Sequence, residues 1–143
     1  MIGSGMKKII LQNEPIDMAQ MLHEVESDSD GAVVSFVGKV RKNSRGKNVL
    51  HLEYEAYREM ARKELAKAAD EAEEKWGISN CLVAHRFGRI EVGEASIIIA
   101  VSSPHRHEAF LAAQYLIDTV KKKVPIWKKE YYSDGSSWIN DKE

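Results

Sequence analysis

Between Val49 and Gly77 the chain changes its hydrophobic period once, and that switch constrains the fold more than any other feature. Val49 to Tyr57 alternates with a period of two: Leu50, Leu52, Tyr54 and Ala56 against His51, Glu53, Glu55 and Tyr57. This predicts a half-buried strand with the first set inward. From Arg58 to Trp76 the spacing becomes helical, with Ala61, Leu65, Ala68, Ala69, Ala72 and Trp76 on one face. Lys67/Glu71 and Glu71/Lys75 stand four apart on the other face, as ion pairs do along a helix. Gly77 supplies the left-handed residue that ends such a helix. A chain that runs from a one-faced strand straight into a one-faced helix must bury both against each other or against further layers, which requires a mixed fold.

The remaining segments extend that architecture. Lys7 to Gln12 and Ala32 to Val40 have strand composition. Pro15 opens a helix to about Glu26, with Met18, Met21, Leu22 and Val25 at helical spacing. Asp28 to Gly31 is a turn, and Lys42 to Asn48, with Gly46, reads as a mobile polar loop. Ser79 to Phe87 and Ala95 to Ser102 are strands, with Gly88 and Gly93 punctuating the stretch between them. Ser103 and Pro104 have N-cap and N1 chemistry for a third helix that buries Ala109, Ala113, Leu116, Ile117 and Val120. Pro125 stops it, Ile126 to Tyr132 returns as a strand, and Asp134-Gly135 turns the chain toward Trp138 and a final strand. The order predicts an α+β fold of mostly antiparallel sheet covered by helices, with a ferredoxin-like unit as the simplest fallback.

At 143 residues the chain fits a single domain, placed at residues 6–140, with 1–5 as a leader ahead of a natural start at Met6 and 141–143 as a tail. The opening MIGSGMKKIILQ lacks the apolar region and cleavage site of a signal peptide, and no apolar stretch approaches the length of a membrane span. The expectation is a soluble protein of the reducing cytoplasm. A lone cysteine, Cys81, sits in an apolar strand-like run and reads as an inert core thiol. His23, His51 and His85 fall in separate elements without metal-ligand spacing.

A net charge of −1 excludes a generally basic nucleic-acid binder, but the distribution is uneven. Residues 121–129, KKKVPIWKK, hold five lysines and no acid, whereas residues 70–74 hold four acids. This pattern points to a confined anion site. Lysines at a helix end complement the dipole, so each of Lys121, Lys122 and Lys123 has a purely structural reading. After the corner at Pro125, alternation sets Ile126 and Lys128 on one face and Trp127 and Lys129 on the other. Lys121 and Lys128 can then converge across the corner, where a partly desolvated lysine becomes a nucleophile or general base. Ser103-Pro104-His105-Arg106 puts cations at a helix start, where the dipole disfavours them. A bound phosphate or carboxylate would explain that, and so would exposure to solvent or pairing with Glu108. In Phe36-Val-Gly-Lys-Val-Arg41, Gly38 signals a bulge or close approach, and Arg41 is either a phosphate clamp or a solvated strand end.

Taken in series, F-x-G-x-V-R, S-P-H-R and K-x-x-x-P-x-W-K resemble the large, catalytic subunit family of molybdopterin synthase, over about Met6 to Trp138. The resemblance implies an α/β-hammerhead-type fold with an added small antiparallel subdomain, and a homodimer within a heterotetramer. Each protomer would bind a small ubiquitin-like subunit ending in a Gly-Gly thiocarboxylate. Two sulfurs would pass from it to cyclic pyranopterin monophosphate, giving molybdopterin. No cofactor, metal, nucleic acid or membrane is implied. With only Cys81, the chain has no good sulfur carrier of its own, which fits a donor arriving on a partner. Carried over by motif, the pocket comprises Lys39, Val40, Arg41, His105, Arg106, Lys121, Lys128, Lys129 and Glu130, with Lys121 and Lys128 as the catalytic pair. Position 123 is lysine where the family commonly has arginine, and position 126 is isoleucine where an aromatic is common. A further basic residue near the family's C-terminus would correspond to Lys142.

Two rivals stand beside this. One is a non-enzymatic module that docks an anion or acidic tail on Lys121 to Lys129, which gives no reason for His105 and Arg106. The other is a ferredoxin-like small-molecule sensor, for which no regulatory partner domain is evident.

Overall fold

A computed structural model describes residues 5–140. The expectations for residues 1–4 and for the tail 141–143, Lys142 included, lie outside the described residues. The strands are β1 (Lys7–Gln12), β2 (Ala32–Lys39), β3 (Asn43–Ser44), β4 (Lys47–Ala56), β5 (Asn80–Arg86), β6 (Gly88–Glu91), β7 (Ala95–Ser103), β8 (Ile126–Tyr132) and β9 (Ser137–Asn140). The helices are α1 (Met18–Val25), α2 (Arg58–Trp76) and α3 (Arg106–Lys123).

Two sheets divide the strands. The first has the order β1-β5-β7-β2, antiparallel except for β1 beside β5. Its two faces are covered by different helices. Leu82, Ala84, Ile98 and Ala100 meet Met21 and Val25 of α1. Val83, Ile97, Ile99 and Val101 face Leu65, Ala68 and Ala72 of α2 and Ala109, Ala112 and Leu116 of α3. Burial on both faces explains why β5 and β7 read as continuous apolar runs rather than alternating ones. It also departs from the ferredoxin-like fallback, whose helices are segregated to one face. The second sheet is antiparallel, β3-β4-β8-β9, with β6 also on β4. The mixed α+β class with mostly antiparallel sheet is therefore as expected from the sequence.

α2 spans the predicted residues, and Gly77 caps it at φ 61° with its N–H donating to the Glu73 carbonyl. Glu71, expected to pair with lysines of its own helix, accepts the Tyr115 hydroxyl of α3 at 2.6 Å. Elsewhere the boundaries differ from expectation. α1 begins after Asp17, whose carboxylate accepts the Gln20 N–H, so Pro15 precedes the helix and Met18 is exposed. α3 begins at Arg106 with His105 as N-cap, not at Ser103-Pro104. Ser103 completes the β7 ladder opposite Ala32, and the Pro104 carbonyl accepts the Gly31 N–H, so both residues are held outside the helix. Residues 42–48 are not a free loop. Asn43 and Ser44 pair with Asn48 and Lys47 around Arg45-Gly46, both at positive φ (53° and 73°), as a tight two-residue hairpin demands. β6 was not expected; its four residues carry too little pattern to read.

Alternation in β4 holds from Leu52 onward and fails before it. The ladder with β8 shifts register between Val49 and His51. A bulge of this kind turns the preceding residue over. Val49 goes into the core and Leu50 is 54% exposed, the reverse of the expectation.

Candidate active site

Three separate parts of the fold deliver cations to one cleft. β2 ends in a bulge at Gly38/Lys39, beside which a side chain at Gly38 would meet Ile97 Cγ2 at 2.7 Å. Val40 is then pinned in the core: its N–H donates to Glu94 O (3.0 Å) and its carbonyl accepts from Gly93 N–H (2.9 Å). With Val40 turned inward, Lys39 and Arg41 on either side of it line the cleft. Val40 therefore serves the site through spacing and is absent from its wall.

Lys121 comes from the last turn of α3, held by the buried Val120 and Val124. Val124 is extended, as a residue before proline must be, and the Pro125 carbonyl accepts the Tyr57 N–H at 3.2 Å. β8 then runs with Ile126, Lys128, Glu130 and Tyr132 on its inner face. Trp127, Lys129 and Tyr131 take the outer face, where Lys129 lies 4.9 Å from the Tyr131 ring centroid and Trp127 meets Tyr57 edge to face. Lys121 and Lys128 thus line the same cleft, and Lys129 does not.

The cleft encloses about 170 Å³. Its walls carry Lys39, Arg41, Lys121 and Lys128, with Glu130 as the acid among the lining residues, and Phe36, Val49, Leu52, Tyr54 and Ile97 supply apolar surface. Such a container offers positive charge at low effective dielectric, where electrostatic attraction is strong. Glu130 is 5% exposed. Burial pushes its carboxyl up, but hydrogen bonds from the Tyr132 and Ser44 hydroxyls, with the charges of Lys128 and Arg45, outweigh that and hold it below the ordinary carboxylate range. Ser44 and Tyr132 were missed in the sequence. The signal for Ser44 was the Arg45-Gly46 turn, which makes its strand pair with β4 and aims its hydroxyl inward.

His105 and Arg106 lie elsewhere. They line a shallow hollow with His107, Phe110 and Leu111 at the start of α3. Fifteen residues separate Arg106 from Lys121 on one helix, about 22 Å at 1.5 Å per residue. No single copy of the chain joins them in one site. Among the described residues, no group of three or more His, Cys, Asp or Glu could hold a metal ion. Cys81 is fully buried, and desolvation pushes its thiol up to about 12, which leaves it protonated and unreactive. No helix among the described residues is long and apolar enough to cross a membrane.

The family model described as MoaE protein matches residues 11–123. The molybdopterin synthase catalytic subunit of Bacillus subtilis is 43% identical over 136 residues, covering 95% of this chain and 87% of that protein. The subunit of the same name from Halalkalibacterium halodurans is 40% identical over 135 residues, covering 94% and 86%. The crystal structure of molybdopterin synthase from Staphylococcus aureus superposes with a TM-score of 0.85 at 42% identity, covering 93% of this chain and 95% of that one. A protein–protein complex of subunits 1 and 2 of molybdopterin-converting factor from Helicobacter pylori superposes with a TM-score of 0.73 at 25% identity, covering 90% and 86%. From the match over most of its length and the level of identity to these relatives, the chain belongs to the MoaE protein family, that of molybdopterin synthase catalytic subunits.

Proposed function

We propose that this chain is the sulfur-transferring subunit of a molybdopterin synthase, acting on cyclic pyranopterin monophosphate with sulfur supplied by the C-terminal thiocarboxylate of a small ubiquitin-like partner. The observation that carries the reading is the meeting of Lys121 and Lys128 with Lys39 and Arg41 in one cleft. Arg41 and Lys39 offer charge for the substrate phosphate. Of the two lysines, one assists attack on the glycyl carbonyl or briefly holds it. The other stabilises the charge that develops as sulfur leaves. Cys81 is buried, which supports a sulfur donor outside the chain. The cytoplasm, where thiols stay reduced, suits such chemistry.

The position of His105 and Arg106 favours a homodimer. At about 22 Å along α3 from Lys121 they can complete a substrate site only on a second copy. Phe110, 61% exposed beside them, supplies apolar surface for such a contact. Mixing Lys121→Ala with Arg106→Ala protomers tests this, since mixed dimers would regain one intact site. Activity no higher than that of the separate variants removes His105 and Arg106 from the site.

Reconstitution with the thiocarboxylated partner and substrate tests the reaction. Lys121→Ala should lower molybdopterin formation by about 10²-fold or more, the usual cost of removing a group that acts in the transition state. Wild-type rates in that variant would refute the catalytic assignment. Phosphate binding by wild type without any sulfur transfer would favour the non-enzymatic anion-binding module.

A further inference from the structure

The cleft sets one carboxylate among its cations, and the details of how Glu130 is held are unusual. Glu130 Oε1 accepts two hydroxyls, Ser44 at 2.8 Å and Tyr132 at 2.5 Å. Its other oxygen, Oε2, lies 3.7 Å from Lys128 Nζ. A direct lysine–carboxylate hydrogen bond would close to about 2.8 Å. Both side chains are well covered, at 18% and 6% exposure, so the gap is not the looseness of a surface pair. Lys128 and Glu130 are neighbours on the inner face of β8, so the backbone already brings them within reach of each other.

We infer that Ser44 and Tyr132 are positioning residues, whose hydroxyls hold the Glu130 carboxylate off the Lys128 ammonium and so keep that ammonium available to an anionic substrate. Both hydroxyls bind Oε1, so they anchor the carboxylate through that oxygen and fix how near Oε2 comes to the ammonium. Without them, a buried carboxylate beside a cation collapses onto it as a contact pair, because neither charge has solvent to fall back on. The 3.7 Å ion pair would then close to a direct hydrogen bond and tie up one of the cleft's four cations. Tyr132 is well suited to donate, because burial and the bond to Glu130 both raise its phenol above the ordinary range and keep it protonated.

The two donors are themselves fixed by features of this chain. Tyr132 stands opposite Val49, at the end of the β4–β8 ladder where the register shift turns Val49 inward. Ser44 is delivered by the hairpin at Arg45-Gly46. Arg45 lies 3.9 Å from the centroid of the Trp138 ring, and Trp138 pairs with Glu130 across β8 and β9. The hairpin is thus tied to the strand that carries the carboxylate.

The identity of the anion rests on the proposed function, so the test separates the two. Inorganic phosphate binding to the partner-free chain is measured by calorimetry for wild type and for Ser44→Ala/Tyr132→Phe. The double variant should bind phosphate about fivefold more weakly, in keeping with a modest ion pair competing for Lys128. A crystal structure of it should show Lys128 and Glu130 in direct contact. Adding Glu130→Gln should restore phosphate binding, because a neutral amide cannot capture the ammonium. With partner and substrate present, KM should rise more than kcat falls. Unchanged phosphate affinity in the folded double variant, or no rescue by glutamine, overturns the inference. Should the double variant not fold, each single variant is read by the same criteria. Failure of wild type to make molybdopterin would overturn the functional reading and leave the phosphate results to stand alone.

Discussion

The two sheets obey different rules. In the first, β5 and β7 are covered on both faces, and every residue from Cys81 to His85 and from Ser96 to Ser103 is buried. In the second, β4 and β8 bury one face only, and that face gives up part of its apolar surface to Lys128 and Glu130. Two-sided burial leaves no room for charge, whereas the inner face of the second sheet opens on a cleft where paired ionised groups can sit. The tightest packing is therefore in β5 and β7, while the candidate cleft lies where the end of β2 meets the second sheet and the last turn of α3, which buries Leu116 and presents Lys121.

Substitutions can break that division. Ile99→Ala, between Phe36 and Val83 in the first sheet, should cost about 2–5 kcal/mol of unfolding free energy while leaving molybdopterin formation per folded molecule unchanged. Chemical denaturation followed by assay of the folded fraction checks both halves. A large fall in specific activity would show the sheets to be coupled.

Cys81 gives the next effect. Its thiol is raised from 9.0 to about 12 in the folded state, so its contribution to stability is complete below about pH 9 and declines as pH rises toward 12. Over that window the unfolded chain ionises the thiol and the folded chain does not, a loss of up to about 1.4 kcal/mol per pH unit. Cys81→Ala should flatten the alkaline limb of a stability–pH curve. An unchanged limb would mean that the thiol is not held protonated by the core.

Smaller effects sharpen the bulge in the second sheet. Val49→Ala should cost about 1–2 kcal/mol, and Leu50→Ala under about 0.5 kcal/mol, although simple alternation predicts the opposite ranking. Thermal unfolding of the two variants decides it. Lys128→Met removes the cation beside the buried Glu130 carboxylate, so it should lower stability as well as turnover, and adding Glu130→Gln should recover the stability but not the turnover. Turnover recovered along with stability would make that lysine part of the framework alone.

Much of the architecture was legible because it follows from periodicity. α2 and its Gly77 cap, the extent of β1 and β8, and the buried face of α3 coincide with the predicted residues. Two of the misreadings share one cause. Ser103-Pro104 has excellent capping chemistry, yet Ser103 is drawn into the ladder opposite Ala32. Leu50 fits a clean alternation, yet the β4–β8 register shift turns it outward. In both places pairing with a distant strand overrides a sound local preference.

The candidate site divides the same way. Lysine spacing around Pro125 and the motif at Gly38 to Arg41 were enough to nominate Arg41, Lys121 and Lys128, because proline and glycine constrain the backbone locally, whereas Lys39 came only with the family resemblance. Ser44 and Tyr132 were not nominated, because a turn signal at Arg45-Gly46 does not say which carboxylate the Ser44 hydroxyl meets. Eighty-six residues separate Ser44 from Glu130, and only the closed β4–β8 sheet makes their side chains neighbours. What the amino-acid sequence determined by itself is the three helices, the longer strands and the cations they carry, since period, proline and glycine act over a few residues. What only the tertiary structure decided is which of those cations share a cleft, that His105 and Arg106 stand a helix-length away, and how a buried carboxylate is held beside Lys128. Those are distances between parts of the chain that no local rule connects.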